Sequence, residues 1–311
     1  GAATGGSVGS ITISDAELPL LSSNKILIGW DADSPGGKLT IRNCHVASTD
    51  ELTTRTDGIR VGSNSELVIE ESEIRLPHFR SIRVGGNGSI AVRDSDLHTY
   101  GIFMDENAKS PNDAKTLKRL EITDSTVLTG DIIGARGEYS SVEEIVIRGS
   151  DISMTDDHYS NRCCIGSGKY ASFKSIDIQD SKLHLPVAVD ASAIGGGWYT
   201  SFKEDAQIRI ANSTVDATTY RLCPAIGAGY HATGDATLEI IIENSNVIAK
   251  GGTLRSGSSG TYVPGIGKDS YSKWLNVKIQ ITDSTVESLR HTEQWEEPDD
   301  YRIYDGLHEK N

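Results

Sequence analysis

One eight-residue pattern recurs ten times between residues 11 and 286, beginning at Ile11, Leu39, Leu67, Ile90, Leu120, Ile145, Ile176, Ile208, Ile240 and Ile279. Its first position is always Ile or Leu, its third is Ile nine times and Val once, and its eighth is always aliphatic. Alternation of this kind puts positions one and three on one face of a strand. The fifth position is Asp or Asn in eight copies, residues that tolerate left-handed backbone and bond local amides, so a bend is expected at one place in every unit. The sixth position is Ser in eight copies, with Ala16 and Cys44 in the first two. Successive copies start 23 to 39 residues apart, the period of a solenoid whose units bury their apolar faces only against their neighbours.

The second half of each unit decides which solenoid. Eight aliphatic-Gly pairs lie there, from Ile28-Gly29 through Ile133-Gly134 to Ile266-Gly267. Segments such as Ala193-Ile-Gly-Gly-Gly197 are poor helix formers, which disfavours a helical return and a leucine-rich-repeat horseshoe. The expectation is an all-β fold, a coil of short parallel strands stacked on their equivalents above and below.

The Asp/Asn column, over about residues 8 to 290, resembles the bend ladder of the right-handed parallel β-helix of the pectate-lyase-like superfamily. The Ile-Gly-x-Gly signature is similar to that of glycine-rich, adhesin-like β-helix proteins of bacterial cell surfaces. The resemblance implies about ten right-handed coils, a hand also expected for parallel crossovers. It divides the chain into an N-terminal linker or cap (1–10), the β-helix (11–288) and a C-terminal cap or linker (289–311). It also implies a secreted or cell-surface location, although the chain shows no signal peptide. No stretch reaches the length of a membrane span.

Lys plus Arg number 30 against 44 Asp plus Glu, a formal net charge of −14. That balance argues against nucleic acid and anionic membranes as partners and makes a polyanionic ligand less favourable. The four cysteines, Cys44, Cys163, Cys164 and Cys223, do not form a framework. Cys44 in the small-residue column reads as a buried thiol, and a bridge from Cys163 or Cys164 to Cys223 would join units two apart, beyond ordinary reach. Arg42, Glu70 and Arg93 share one outward position in three consecutive units and read as a charge ladder.

Two neighbourhoods carry functional expectations. In the unit beginning at Ile90, Met104 is followed by Asp105 and Glu106 where a glycine is expected, and a polar segment runs on to Lys118. With Asp131 beside Arg136, and with Asp156, Asp157 and His158 two units on, these residues are the acid/base candidates if the chain is a polysaccharide lyase or glycoside hydrolase. The same carboxylates are where a calcium ion would bind. The second neighbourhood follows the Ile-Gly pairs: Tyr139, Tyr170, Trp198, Tyr199, Tyr230, Tyr271 and Trp274 are expected in one longitudinal stripe. Flanked by glycines, such a stripe forms a shallow platform for sugar rings. Phe173 and Phe202 follow at a regular offset and are expected to point inward.

No Gly-His-Gly, Walker loop, His-Glu-x-x-His or paired Cys-x-x-Cys occurs. The reading favoured is a non-catalytic, monomeric surface protein. Its partner is a polysaccharide or surface glycan, or else a host or bacterial surface protein; a passive spacer module is the remaining alternative.

Overall fold

The computed structural model describes residues 9–20, 26–28, 37–48, 56–76, 80–104, 110–155, 163–188, 191–219, 223–252, 263–272 and 274–290. They form a three-sheet parallel β-helix, with sheets of ten, ten and nine strands in which each strand pairs with its equivalents one coil before and after. One coil shows the plan: Ser140–Arg148 lies in the first sheet, Asp151–Met154 in the second and Ile165–Gly166 in the third. Every pairing among the described strands is parallel, and sequential stacking of this kind is consistent with the right-handed crossover. Among the described residues a single 3-10 turn, Pro111–Asp113, interrupts the strands, and no described helix is long and apolar enough to cross a membrane.

The eight-residue pattern accounts for the first two sheets. Positions one, three and eight point inward, as with Leu120, Ile122 and Val127, at most 1% exposed. Burying each such aliphatic chain stabilises by about 1.5–3 kcal/mol before entropy is charged against it. Position five is left-handed in all ten coils, φ running from 45° to 56°. Glu71 and Gly149, the two exceptions to the Asp/Asn rule, adopt it as well, so the bend is a property of the coil. Its amide reaches across to the next coil, as from Asp124 N–H to the Arg148 carbonyl at 2.9 Å.

Position six does more than stay small. Each serine hydroxyl accepts the amide of the residue below it and donates to a carbonyl of its own coil. Ser95 N–H bonds Ser125 Oγ at 3.1 Å, Ser125 N–H bonds Ser150 Oγ at 3.2 Å, and Ser125 Oγ donates to the Thr123 carbonyl at 2.7 Å. This ladder continues to Ser284, and Cys44 joins it by its amide to Ser72 Oγ and its thiol to the Arg42 carbonyl. It satisfies buried amides that the bend removes from the sheets.

The third sheet corrects the expectation of one aliphatic-glycine column. Ile102 pairs with Ile82 and Ile133, and Phe103 with Arg83 and Gly134. Val61 and Val84 therefore lie two positions beyond Ile133, opposite Met104 and Ala135. The residue in the glycine position of the fourth coil is Phe103, and Met104 is core. From Gly134 onward the column is glycine, at φ between 124° and 152°, because a Cβ on Gly195 would stand 1.9 Å from the Gly227 carbonyl oxygen.

Arg42 and Glu70 are paired at 2.9 Å in the expected ladder. All four cysteines are buried and none is in a disulfide, so the Cys163/Cys164 to Cys223 bridge does not form. Phe173 and Phe202 are core residues in edge-to-face contact at 5.3 Å. Leu289 and Arg290, assigned to the C-terminal cap or linker, lie in the last strand, Thr285–Arg290. Residues 1–8 and 291–311, assigned to caps or linkers, lie outside the described residues.

Candidate functional site: an aromatic ladder

After each Ile-Gly strand the chain makes the same turn, and at its apex stands an aromatic residue. Tyr170, Tyr199, His231 and Tyr271 each lie four residues after the glycines at 166, 195, 227 and 267; Tyr139 is the equivalent one coil earlier. Their rings stack in series. Tyr139 and Tyr170 are 5.1 Å apart, Tyr170 and Tyr199 5.4 Å, Tyr199 and His231 5.2 Å, His231 and Tyr271 4.6 Å, all within 28° of parallel. A second row runs beside it through the preceding residues Lys169, Trp198, Tyr230 and Ser270, with Trp198 and Tyr230 at 6.2 Å. Glycines 168, 197 and 229 let neighbouring turns approach, since a Cβ at Gly197 would lie 2.5 Å from the Gly168 carbonyl oxygen.

The stripe therefore exists as expected, with three differences. Its faces are largely turned upon one another along the solenoid axis, so ring edges and hydroxyls form most of the outer surface. His231 completes the stack between Tyr199 and Tyr271, and its signal in the sequence is the same four-residue offset from Gly227, carried by an imidazole in place of a phenol. Trp274 lies outside the stack and is 78% exposed.

The backbone of the stack is strained. Tyr139, Tyr170 and Tyr199 have φ of 56° and His231 51°, the left-handed region where a bulky side chain costs about 1–2 kcal/mol. Stacking returns about 0.5–1.5 kcal/mol per ring pair. The amides of Tyr170 and Tyr199 are bound across the coils to the carbonyls of Trp198 and Tyr230 at 2.8 and 2.7 Å.

The two described lysines of the turns, Lys169 and Lys268, are engaged within the protein. Lys169 Nζ lies 4.6 Å from the Tyr170 centroid, 4.9 Å from that of Trp198 and 3.6 Å from Glu138. Lys268 Nζ donates to the Leu275 carbonyl at 2.7 Å, and burial disfavours its charged form. Asp269 is 1% exposed and accepts the amides of His231 and Ser272 and the Ser272 hydroxyl; burial nevertheless holds its carboxyl above the usual range. Burial, with Tyr271 and Asp269 nearby, pushes the Tyr230 phenol up to about 12, keeping it a neutral donor. A shallow groove between Ser201 and Ala236 adjoins the ladder, with Lys203 among Glu204, Asp205 and Asp235.

The acid/base candidates fare differently. Asp105, Glu106, Asp156, Asp157 and His158 lie outside the described residues. Asp131 is 1% exposed and ion-paired to Arg136 at 2.9 Å. Arg136 and Arg83 flank the buried Phe103 ring at 5.0 and 5.1 Å, and Arg83 is held by Asp57 at 2.9 Å. That arrangement is a packed ionic cluster. Among the described residues no group of three His, Cys, Asp or Glu is placed to hold a metal ion.

Sequence reasoning also missed Arg75-Leu-Pro-His-Phe-Arg80, an Arg-x-Pro-x-x-Arg spacing of the pectate-lyase kind. Here Arg75 stands on the outer face of the second sheet, paired with Glu73 at 3.1 Å and with Asp96, whereas Arg80 is fully buried. The two guanidinium groups do not present one surface. No family model, curated protein or solved structure matches this chain.

Proposed function

We propose that this protein is a non-catalytic glycan-binding β-helix of secreted or cell-surface type, and that the aromatic ladder from Tyr139 to Tyr271 is its contact surface. The observation that carries this reading is the left-handed backbone of Tyr139, Tyr170, Tyr199 and His231. Asn, Asp or Gly would occupy the same turn without strain, so four large rings in that conformation point to a use for the rings. Amphipathic aromatic edges with phenolic hydroxyls suit sugars, which offer C–H patches and hydroxyls together.

The test is a glycan array followed by titration of any hit with the Trp198→Ala/Tyr230→Ala double variant. Loss of binding by about tenfold or more is expected, for two large contact residues removed at once. Unchanged affinity in a folded double variant would refute the reading.

A further inference from the structure

Three consecutive coils of the ladder carry tyrosine. Tyr139, Tyr170 and Tyr199 share one turn position and one backbone conformation, φ 56° in each. Their centroids are 5.1 and 5.4 Å apart, with ring planes 16° and 13° from parallel. A side chain repeated in one conformation from coil to coil brings like atoms over like. The centroid separations stay close to the rise of about 4.8 Å between stacked strands, so there is little sideways slip. The carbons beside one phenolic oxygen therefore face the same carbons of the next ring. The run of tyrosines ends at His231, which follows Tyr199 at 5.2 Å.

Phenols facing one another in this way suit one reaction. A one-electron oxidant removes an electron from a tyrosine while the phenolic proton passes to water, which leaves a neutral phenoxyl radical with spin at the carbons ortho to oxygen. Two such radicals on neighbouring coils join through those carbons, after rotation of the rings about their side-chain torsions. The hydrogens on the joined carbons move through water to the two oxygens and restore both phenols. The product is dityrosine; two electrons have gone to two equivalents of oxidant and two protons to solvent.

The surroundings favour these three residues. Each is partly exposed, which gives the departing proton a path to water. The Lys169 ammonium, 4.6 Å from the Tyr170 centroid, opposes a cation radical but not the neutral one. Tyr230 and Tyr271 are less suited: they meet edge to face at 74°, and burial pushes the Tyr230 phenol up to about 12, which holds its proton.

We infer that Tyr139, Tyr170 and Tyr199 form an oxidative cross-linking site, at which a diffusible one-electron oxidant joins Tyr170 to the tyrosine of the coil before or after it. The new bond staples adjacent coils through their aromatic turns, whether or not the ladder binds a glycan.

Photo-oxidation of the full chain at low concentration with tris(bipyridyl)ruthenium(II) and persulfate tests this, the ruthenium(III) formed being the one-electron oxidant. Dityrosine fluorescence is expected in chains that remain monomeric on a denaturing gel. Mass spectrometry of a tryptic digest should find residues 170–174 joined to 137–148 or to 183–203. Tyr170→Phe keeps the ring, with folding monitored by circular dichroism, and should lose the fluorescence; Tyr271→Phe should keep it. In urea the unfolded chain should lose the preference for these pairs. Fluorescence that persists in Tyr170→Phe, coupling only between chains, coupling that favours other tyrosines, or oxidation without any dityrosine overturns the site.

Discussion

Tyr170 and Tyr199, one coil apart, place their rings 5.4 Å apart and 13° from parallel while both backbones sit at φ 56°. Stack and strain come from the same residues, so they can be separated by substitution. Tyr199→Ala removes stacking on both faces and keeps the left-handed penalty, whereas Tyr199→Gly removes both. The glycine variant should be more stable than the alanine variant by about 1 kcal/mol, with both below the parent. Urea denaturation of the three proteins measures this, and an alanine variant as stable as the glycine one would show that the turn carries no strain.

The serine ladder makes a second, local demand. Ser150 Oγ accepts from the Ser125 amide at 3.2 Å and donates to the Arg148 carbonyl at 2.7 Å, inside the coil. Ser150→Ala leaves a buried amide without its acceptor and should cost about 2 kcal/mol. Ser284→Ala, in the more exposed last coil, should cost less; equal and negligible losses from both would mean that water replaces the ladder.

Glycine is required in the third sheet for contact reasons as well as conformation. Gly195→Ala drives a methyl to 1.9 Å from the Gly227 carbonyl oxygen at φ 129°, and a loss of about 3 kcal/mol or more is expected. Gly130→Ala meets Thr155 Oγ1 at 3.3 Å and the Tyr100 ring no closer than 3.7 Å, and should stay within about 1 kcal/mol of the parent. Thermal melts of the pair decide whether the glycine column is obligatory.

Asp269 predicts a pH dependence. Burial raises its carboxyl in the folded state above the ordinary value of 3.8, so the folded chain holds a proton that the unfolded chain has released. Its contribution to stability is fully present below pH 3.8 and is lost as pH rises through the raised value. The stability difference between the parent and Asp269→Asn should therefore shift against the parent as pH climbs through that window and then level off. Urea titrations across the acid range that show a pH-independent difference would contradict the desolvation of this carboxyl.

Much of the architecture is written locally. A strand alternation, a bend residue and a small residue at fixed offsets specify the first two sheets, because each depends on backbone preference and inward burial within eight residues. The bend is cooperative enough that Glu71 adopts φ 51° without being Asp or Asn. Register in the third sheet is less local: Val84-Gly85 and Ile133-Gly134 look alike as dipeptides, yet stacking aligns Val84 with Met104 and Ala135.

The candidate site divides in the same way. That Tyr170 and Tyr199 follow their glycines at one offset is visible in the chain, and equal offsets in stacked coils put side chains in line. Whether those rings would show faces or edges was settled by the rise between coils, which brings each ring onto the next. Asp131 and Arg136 are five residues apart, and only the packing around Phe103 makes them a buried pair at 2.9 Å. The sequence by itself determined the repeat, its inward face and its bends, since these follow from short-range preferences summed over ten copies. Tertiary structure alone decided the register of the third sheet, the serine ladder's partners and the face-to-face stacking of Tyr139 to Tyr271, because each depends on which coil lies above.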